Sequence, residues 1–84
     1  MSHFVYVIRS LKDGRYYIGE STNVTIRLRE HNEGFVKSTK NRTPFILVYT
    51  EIHDSRISAL RREKQIKSYK GGNAFRKLLN LADK

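Results

Sequence analysis

The chain has no cysteine and a single proline in its 84 residues. Without cysteine it can form no disulfide and no thiolate metal site, so a reducing cytoplasm is the expected setting. No apolar run approaches the ~20 residues a membrane-spanning helix needs. The opening Met1-Ser2-His3-Phe4 has neither a basic leader nor a cleavable apolar stretch, so no signal peptide is expected. Internal repeats and low-complexity stretches are missing too. Acid is scarce: 8 Asp and Glu stand against 17 Lys and Arg, a formal charge of +9, with a pI near 10.2. A small domain this basic is expected to bind a polyanion, nucleic acid first and an anionic membrane surface second. A merely solubilising positive surface is the plain alternative.

What is present fits one folded domain over residues 1–84. The hydrophobic fraction is 38% and the charged fraction 30%, outside the disordered range. A domain of this size buries only about 60% of its unfolded surface, so it holds one small core.

Residues 3–10 are dense in β-branched and aromatic types and predict a buried strand. Asp13-Gly14 is a hairpin turn signal, and 15–19 predict the return strand, ending at Gly19. Ser21, Thr22 or Asn23 can cap a helix that runs to about Glu33 and stops at Gly34. Residues 34–43 form a basic loop. Pro44 opens a third strand over 45–52, which is tolerated at a strand's first residue. Asp54 or Ser55 can cap a second helix over roughly 56–70, ended by Gly71-Gly72. Asn73 can then cap a third helix carrying Phe75, Leu78, Leu79 and Leu81. The order is ββαβαα: an α+β fold with a small three-stranded antiparallel sheet flanked by helices.

Several polar residues fall where core residues are expected. On the first helix Val24 and Leu28 form the apolar stripe, and Arg27 and His31 sit beside it. They are expected to lean toward the sheet, unless Arg27 snorkels and His31 is only a satisfied boundary residue. On the second helix Ala59, Leu60 and Ile66 mark one face, and Glu63 lies in its middle among basic neighbours. Burying a lone carboxylate costs several kcal/mol unless it is paired or holds a cation. The alternative is an ordinary Glu63–Lys67 pair at a helix edge. Tyr6, Tyr16 and Tyr17 lie on the hairpin, where half-buried packing is the usual role. A phenol, a guanidinium, an imidazole and a carboxylate meeting at one sheet edge of a basic domain would suit phosphodiester cleavage with one metal ion.

In order along the chain, Phe4-Val5-Tyr6, Tyr17-Ile18-Gly19, Thr22-Asn23-Val24, Arg27-Leu28, His31-Asn32, Gly34 and Ala59-Leu60-Arg61-Arg62-Glu63-Lys64-Gln65-Ile66-Lys67 resemble the GIY-YIG nuclease superfamily. The small stand-alone bacterial members are the most similar. Phe4-Val5 replace the Gly-Ile of the first motif and leave its tyrosine in place. The resemblance implies catalytic roles for Tyr6, Tyr17, Arg27, His31 and Glu63, with Glu63 holding the divalent metal. It also implies a possible role for a downstream asparagine, for which Asn73 is the nearest match.

The implied activity is metal-dependent endonucleolytic hydrolysis of nucleic acid, DNA more than RNA, with little sequence specificity and with Mg²⁺ or Mn²⁺ as cofactor. Arg27 would stabilise phosphoryl oxygens, and Tyr6 or Tyr17 would handle the attacking water. Lys37, Lys40, Arg42, Arg61, Arg62, Lys64, Lys67 and Lys70 are the expected phosphate grips. The alternative is a nucleic-acid-binding module with the nuclease fold but little activity alone. No membrane association is expected, and the chain is expected to be a monomer or weak homodimer because no exposed apolar stripe demands assembly.

Overall fold

A computed structural model describes residues 2–82, with the side chains of the last two of these left aside. The elements run β1 (His3–Ser10), β2 (Tyr16–Ser21), α1 (Val24–Asn32), β3 (Phe45–His53), α2 (Arg56–Ser68) and α3 (Asn73–Ala82). A short 3-10 turn, Lys40–Arg42, interrupts the basic loop. The strands form one antiparallel sheet in the order β2-β1-β3. This is the expected ββαβαα arrangement. Leu81, expected on the apolar side of α3, lies outside the described side chains.

β1 sits in the middle of the sheet, so both of its faces must be apolar. Val5 and Val7 point to one face and pack against Ala59 and Ile66 of α2 and Phe75 and Leu78 of α3. Tyr6 and Ile8 point to the other and pack with Phe45, Tyr17 and the Val24–Leu28 stripe of α1. The result is three layers: α1, the sheet, then α2 with α3. Leu60, expected on the buried face of α2, is exposed; Ala59 and Ile66 alone carry that face inward.

Local chemistry explains the boundaries. The hairpin connection is longer than an Asp-Gly two-residue turn, and β2 begins at Tyr16 and runs on through Ser21. The buried Ser10 hydroxyl organises it, accepting from the Lys12 and Asp13 N–H groups and donating to the Arg42 carbonyl. Gly14 takes φ +73°, the left-handed conformation that glycine adopts at little strain. Asn23 is the cap of α1, its Oδ1 accepting the Ile26 N–H at 3.1 Å. Ser55 caps α2 in the same way through the Ser58 N–H. Asn73 is not a cap: it is the first helical residue of α3, and the Gly72 carbonyl before it accepts the Arg76 N–H. The Asn32 side chain ties α1 to β3, bonding both the N–H and the carbonyl of Phe45.

β3 is an edge strand, and Ile46, Leu47 and Ile52 on it are open to solvent. No described helix is long and apolar enough to cross a membrane.

Candidate functional site

The register of β1 against β2 sets the site. Tyr6 lies opposite Gly19, and facing residues of an antiparallel pair point to the same side. Glycine leaves the space that the tyrosine ring occupies: a Cβ on Gly19 would sit 2.5 Å from the Tyr6 hydroxyl. The ring thereby reaches across the sheet to the underside of α1.

There the Tyr6 hydroxyl meets His31 Nε2 at 2.8 Å. His31 Nδ1 meets Thr39 Oγ1 at 2.7 Å, and the Thr39 hydroxyl donates to the Val36 carbonyl. With His31 neutral, as its burial favours, the donor chain that fits all three contacts starts at Tyr6: its O–H donates to Nε2, Nδ1–H donates to Thr39, and Thr39 donates onward. His31 is therefore the neutral Nδ1–H tautomer. It is fully buried, and that burial, with the positive Arg27 nearby, pushes its pKa down to about 4. Burial also pushes the Tyr6 phenol up to about 12, against the opposing pull of a hydrogen bond and positive charge from Arg27. Thr39 was not among the residues anticipated from sequence.

Tyr17 completes the aromatic part. Its half-buried ring stands edge-on to His31 with centroids 4.9 Å apart, and lies 6.4 Å from the Tyr6 ring. Arg27 is half-exposed and bonds Glu30 Oε1 at 3.2 Å. Burial works against the Arg27 cation, but its bonds to Tyr6 and Glu30 prevail and hold its pKa above the usual arginine value.

Glu63 comes from the other layer. α2 packs on the Val5–Val7 face of the sheet, opposite α1. The Glu63 side chain is only 19% exposed and bonds Lys67 Nζ through Oε2 at 2.8 Å. Glu63 is thus half-buried and paired along its own helix. Its charge is felt at the Tyr6 phenol, where it favours the protonated form. No group of three or more potential metal ligands occurs among the described residues. A single carboxylate with water and phosphate oxygens completing the shell matches the way Mg²⁺ is usually bound. Glu63 offers one such carboxylate, with Lys67 on its Oε2.

The basic residues divide in two. Lys37, Lys40, Arg61, Lys64 and Lys70 are exposed. Arg42 is instead tied to the hairpin, bonding Asp13 at 3.1 Å and lying over the Phe45 ring. Arg62 is held by Glu51 at 3.1 Å. Glu51 also accepts from Tyr49 and meets His53 Nε2 at 2.6 Å. Burial raises the Glu51 pKa, but these bonds outweigh it and the net direction is down. Arg42 and Arg62 thus serve the fold, and Lys67 is engaged with Glu63. Asn73 is exposed at the start of α3.

Comparison with known proteins adds to this geometry. A family model described as the GIY-YIG catalytic domain matches residues 2–75. UPF0213 protein SH2523 of Staphylococcus haemolyticus is 44% identical over 68 residues, covering 80% of this chain and 82% of its own. A UPF0213 protein of Staphylococcus aureus is 44% identical over 69 residues, covering 81% and 83%. The solution NMR structure of the UPF0213 protein BH0048 from Bacillus halodurans superposes with a TM-score of 0.61 at 35% identity. That match covers 96% of this chain and 85% of the other.

Proposed function

The chain belongs to the GIY-YIG catalytic-domain family, and from that premise we propose that it is a metal-dependent endonuclease. It hydrolyses phosphodiester bonds in nucleic acid, DNA before RNA, with little sequence specificity. The observation that carries this reading is the directed Tyr6–His31–Thr39 chain, buried beside a half-exposed arginine. Phosphodiester hydrolysis needs a fixed hydroxyl next to a fixed positive charge, and this chain holds the Tyr6 hydroxyl beside Arg27.

The residues divide the work. Arg27 binds the scissile phosphate and stabilises the charge that builds on its non-bridging oxygens, a contribution typically worth 10²–10³ in rate. Tyr6 has its proton committed to His31, so its oxygen presents lone pairs toward the site. In the resting protein His31 is a poor proton acceptor and Tyr6 a reluctant donor. His31 therefore acts first as an orienting partner that fixes the phenol's rotation. Tyr17, whose ring is the more open of the two, meets the attacking water. Glu63 holds Mg²⁺ or Mn²⁺, which when bound supplies Lewis-acid stabilisation of the leaving oxygen. Lys37, Lys40, Arg61, Lys64 and Lys70 hold the flanking phosphates.

The Lys67 contact favours a second reading, a binding module with little activity alone, because this ion pair must open before the carboxylate can take a cation. One experiment separates the two. Wild type and Glu63→Ala are incubated with supercoiled, linear, single-stranded and branched nucleic acid in Mg²⁺, Mn²⁺ or EDTA, and binding is measured in parallel. Metal-dependent cleavage that disappears in Glu63→Ala while binding persists supports the nuclease. Binding without cleavage in wild type supports the module, and full cleavage by Glu63→Ala overturns the assignment of that residue.

A further inference from the structure

Two recesses flank the turn that leads into α1, and they meet at Thr22. One is polar, lined by His3, Glu20, Arg27, Glu30 and Arg56. Glu20 anchors it, bonding His3 Nδ1 at 3.2 Å and lying 3.7 Å from Arg56 Nε. Arg56 is otherwise extended into solvent, so two guanidinium groups from opposite layers of the fold border one small space. The second recess is lined by Phe4, Val24 and Leu47, with Asn23, Thr25 and Thr50 among its polar members. No charged side chain lines it, although the chain carries +9. Leu47 within it is 41% exposed.

A nucleotide carries its phosphate and its base on two sides of one sugar. In the first recess each arginine is paired with a lining carboxylate, Arg27 with Glu30 and Arg56 with Glu20; a phosphate seats there by exchanging for those partners, since arginine binds phosphate oxygens with charge-assisted bonds. The second suits the base. It offers an aromatic ring and aliphatic side chains for the base's faces, which are similar for all four bases. Its threonine hydroxyls and the Asn23 amide nitrogen are available for a base edge; the Asn23 oxygen is already used to cap α1. A base stacked inside a duplex cannot enter such a recess without leaving the stack. Phe4 stands two residues before Tyr6 on β1 and points to the same face, so the recess adjoins the reacting region without being part of it.

We propose that the apolar recess is a base-binding subsite: one unstacked nucleobase enters among Phe4, Val24 and Leu47 while its phosphate lies between Arg27 and Arg56. This rests on the nucleic-acid reading above. The subsite gives the protein a preference for substrates with an unpaired nucleotide, independent of base identity.

The test measures binding without cleavage. Glu63→Gln protein in EDTA is titrated into a dye-labelled duplex containing one bulged nucleotide and into the matched, fully paired duplex. Fluorescence anisotropy gives both affinities. At least a fivefold preference for the bulge is expected. In the same background Leu47→Gln and Thr25→Trp, one making the recess polar and one filling it, bring the two affinities within twofold while the paired duplex binds as before. Leu47→Met retains the preference. Equal affinities for the two duplexes at the start overturn the subsite, as does a preference that survives both substitutions. Cleavage by wild type with Mg²⁺ is scored separately. A bulge preference without cleavage leaves the subsite standing and removes the nuclease reading; cleavage without a preference does the reverse.

Discussion

His31 makes acid the most informative perturbation of this fold. The ring is fully buried and its pKa lies near 4, whereas in the unfolded chain it returns to about 6.5. Between those values the unfolded state binds the proton and the folded state does not, so stability falls as pH drops from about 6.5 and levels off below 4. Linkage puts the loss between pH 7.5 and pH 5 at about 2 kcal/mol at 25 °C for this one group. The carboxylates with lowered pKa values, Asp13 and Glu51, lose their contributions mainly below that window. With a urea m-value near 1 kcal/mol/M for so small a domain, the unfolding midpoint should move down by about 2 M. The comparison is with His31→Gln, which keeps a polar side chain of similar reach but cannot titrate. Its absolute stability is lower, but its midpoint should change far less over the same pH interval. Subtracting the two series removes the other histidines. Parallel pH dependence in wild type and His31→Gln would refute the argument, as would a His31 ring signal that titrates near 6.5 by NMR.

Other consequences can be checked by simpler means. Gly19→Ala places a methyl group 2.5 Å from the Tyr6 hydroxyl, which His31 holds from behind. Overpacking of this kind costs roughly 1–3 kcal/mol, and thermal melting should show it, together with lost cleavage; an unchanged Tm would mean the ring has room to move. Ser10→Ala strips a buried hydroxyl from two N–H groups and a carbonyl, so urea unfolding should register a loss of roughly 1–3 kcal/mol with cleavage per folded molecule unaltered. If three to five of the exposed cations touch duplex phosphates, log Kd should rise with log salt at a slope of roughly 3 to 4.5. A slope below about 1 would disconnect the basic surface from nucleic-acid binding.

Local signals were the legible ones. The central strand, the order of elements and the two short cap regions, 21–23 and 54–55, follow from composition, turn residues and short-range periodicity, and the structure has them within a residue or two, choosing Asn23 and Ser55 as the caps. Arg42 and Arg62 are braced by partners far along the chain, which the sequence does not announce: Asp13 is 29 residues from Arg42, and Glu51 is 11 from Arg62. Charge counted along the sequence cannot distinguish a cation that faces solvent from one that braces a turn. Leu60 failed for a different reason. It is one step around the helix from Ala59, and a 13-residue helix with so few apolar positions leaves its inward direction ambiguous by that step. Thr39 carried no signal at all, since a loop threonine becomes informative only when the chain has folded it under a histidine. Gly19 reads from the sequence as a strand end, but the strand runs on to Ser21; that Gly19 is the floor beneath Tyr6 is a matter of cross-strand register.

The burial of Tyr6 and His31 also bears on how such a domain can diverge. Both are core residues as well as members of the candidate site, and a chain of 84 residues has few core positions to spare. A descendant that abandoned its chemistry would still be held to both by the need to fold. Their persistence in a lineage is therefore weak testimony about activity. Arg27 and Glu63 are different: each is partly exposed, each is paired with a neighbour on its own helix, and the fold could survive without either. They are the positions free to drift once selection for cleavage ends, and the ones whose retention reports that it has not.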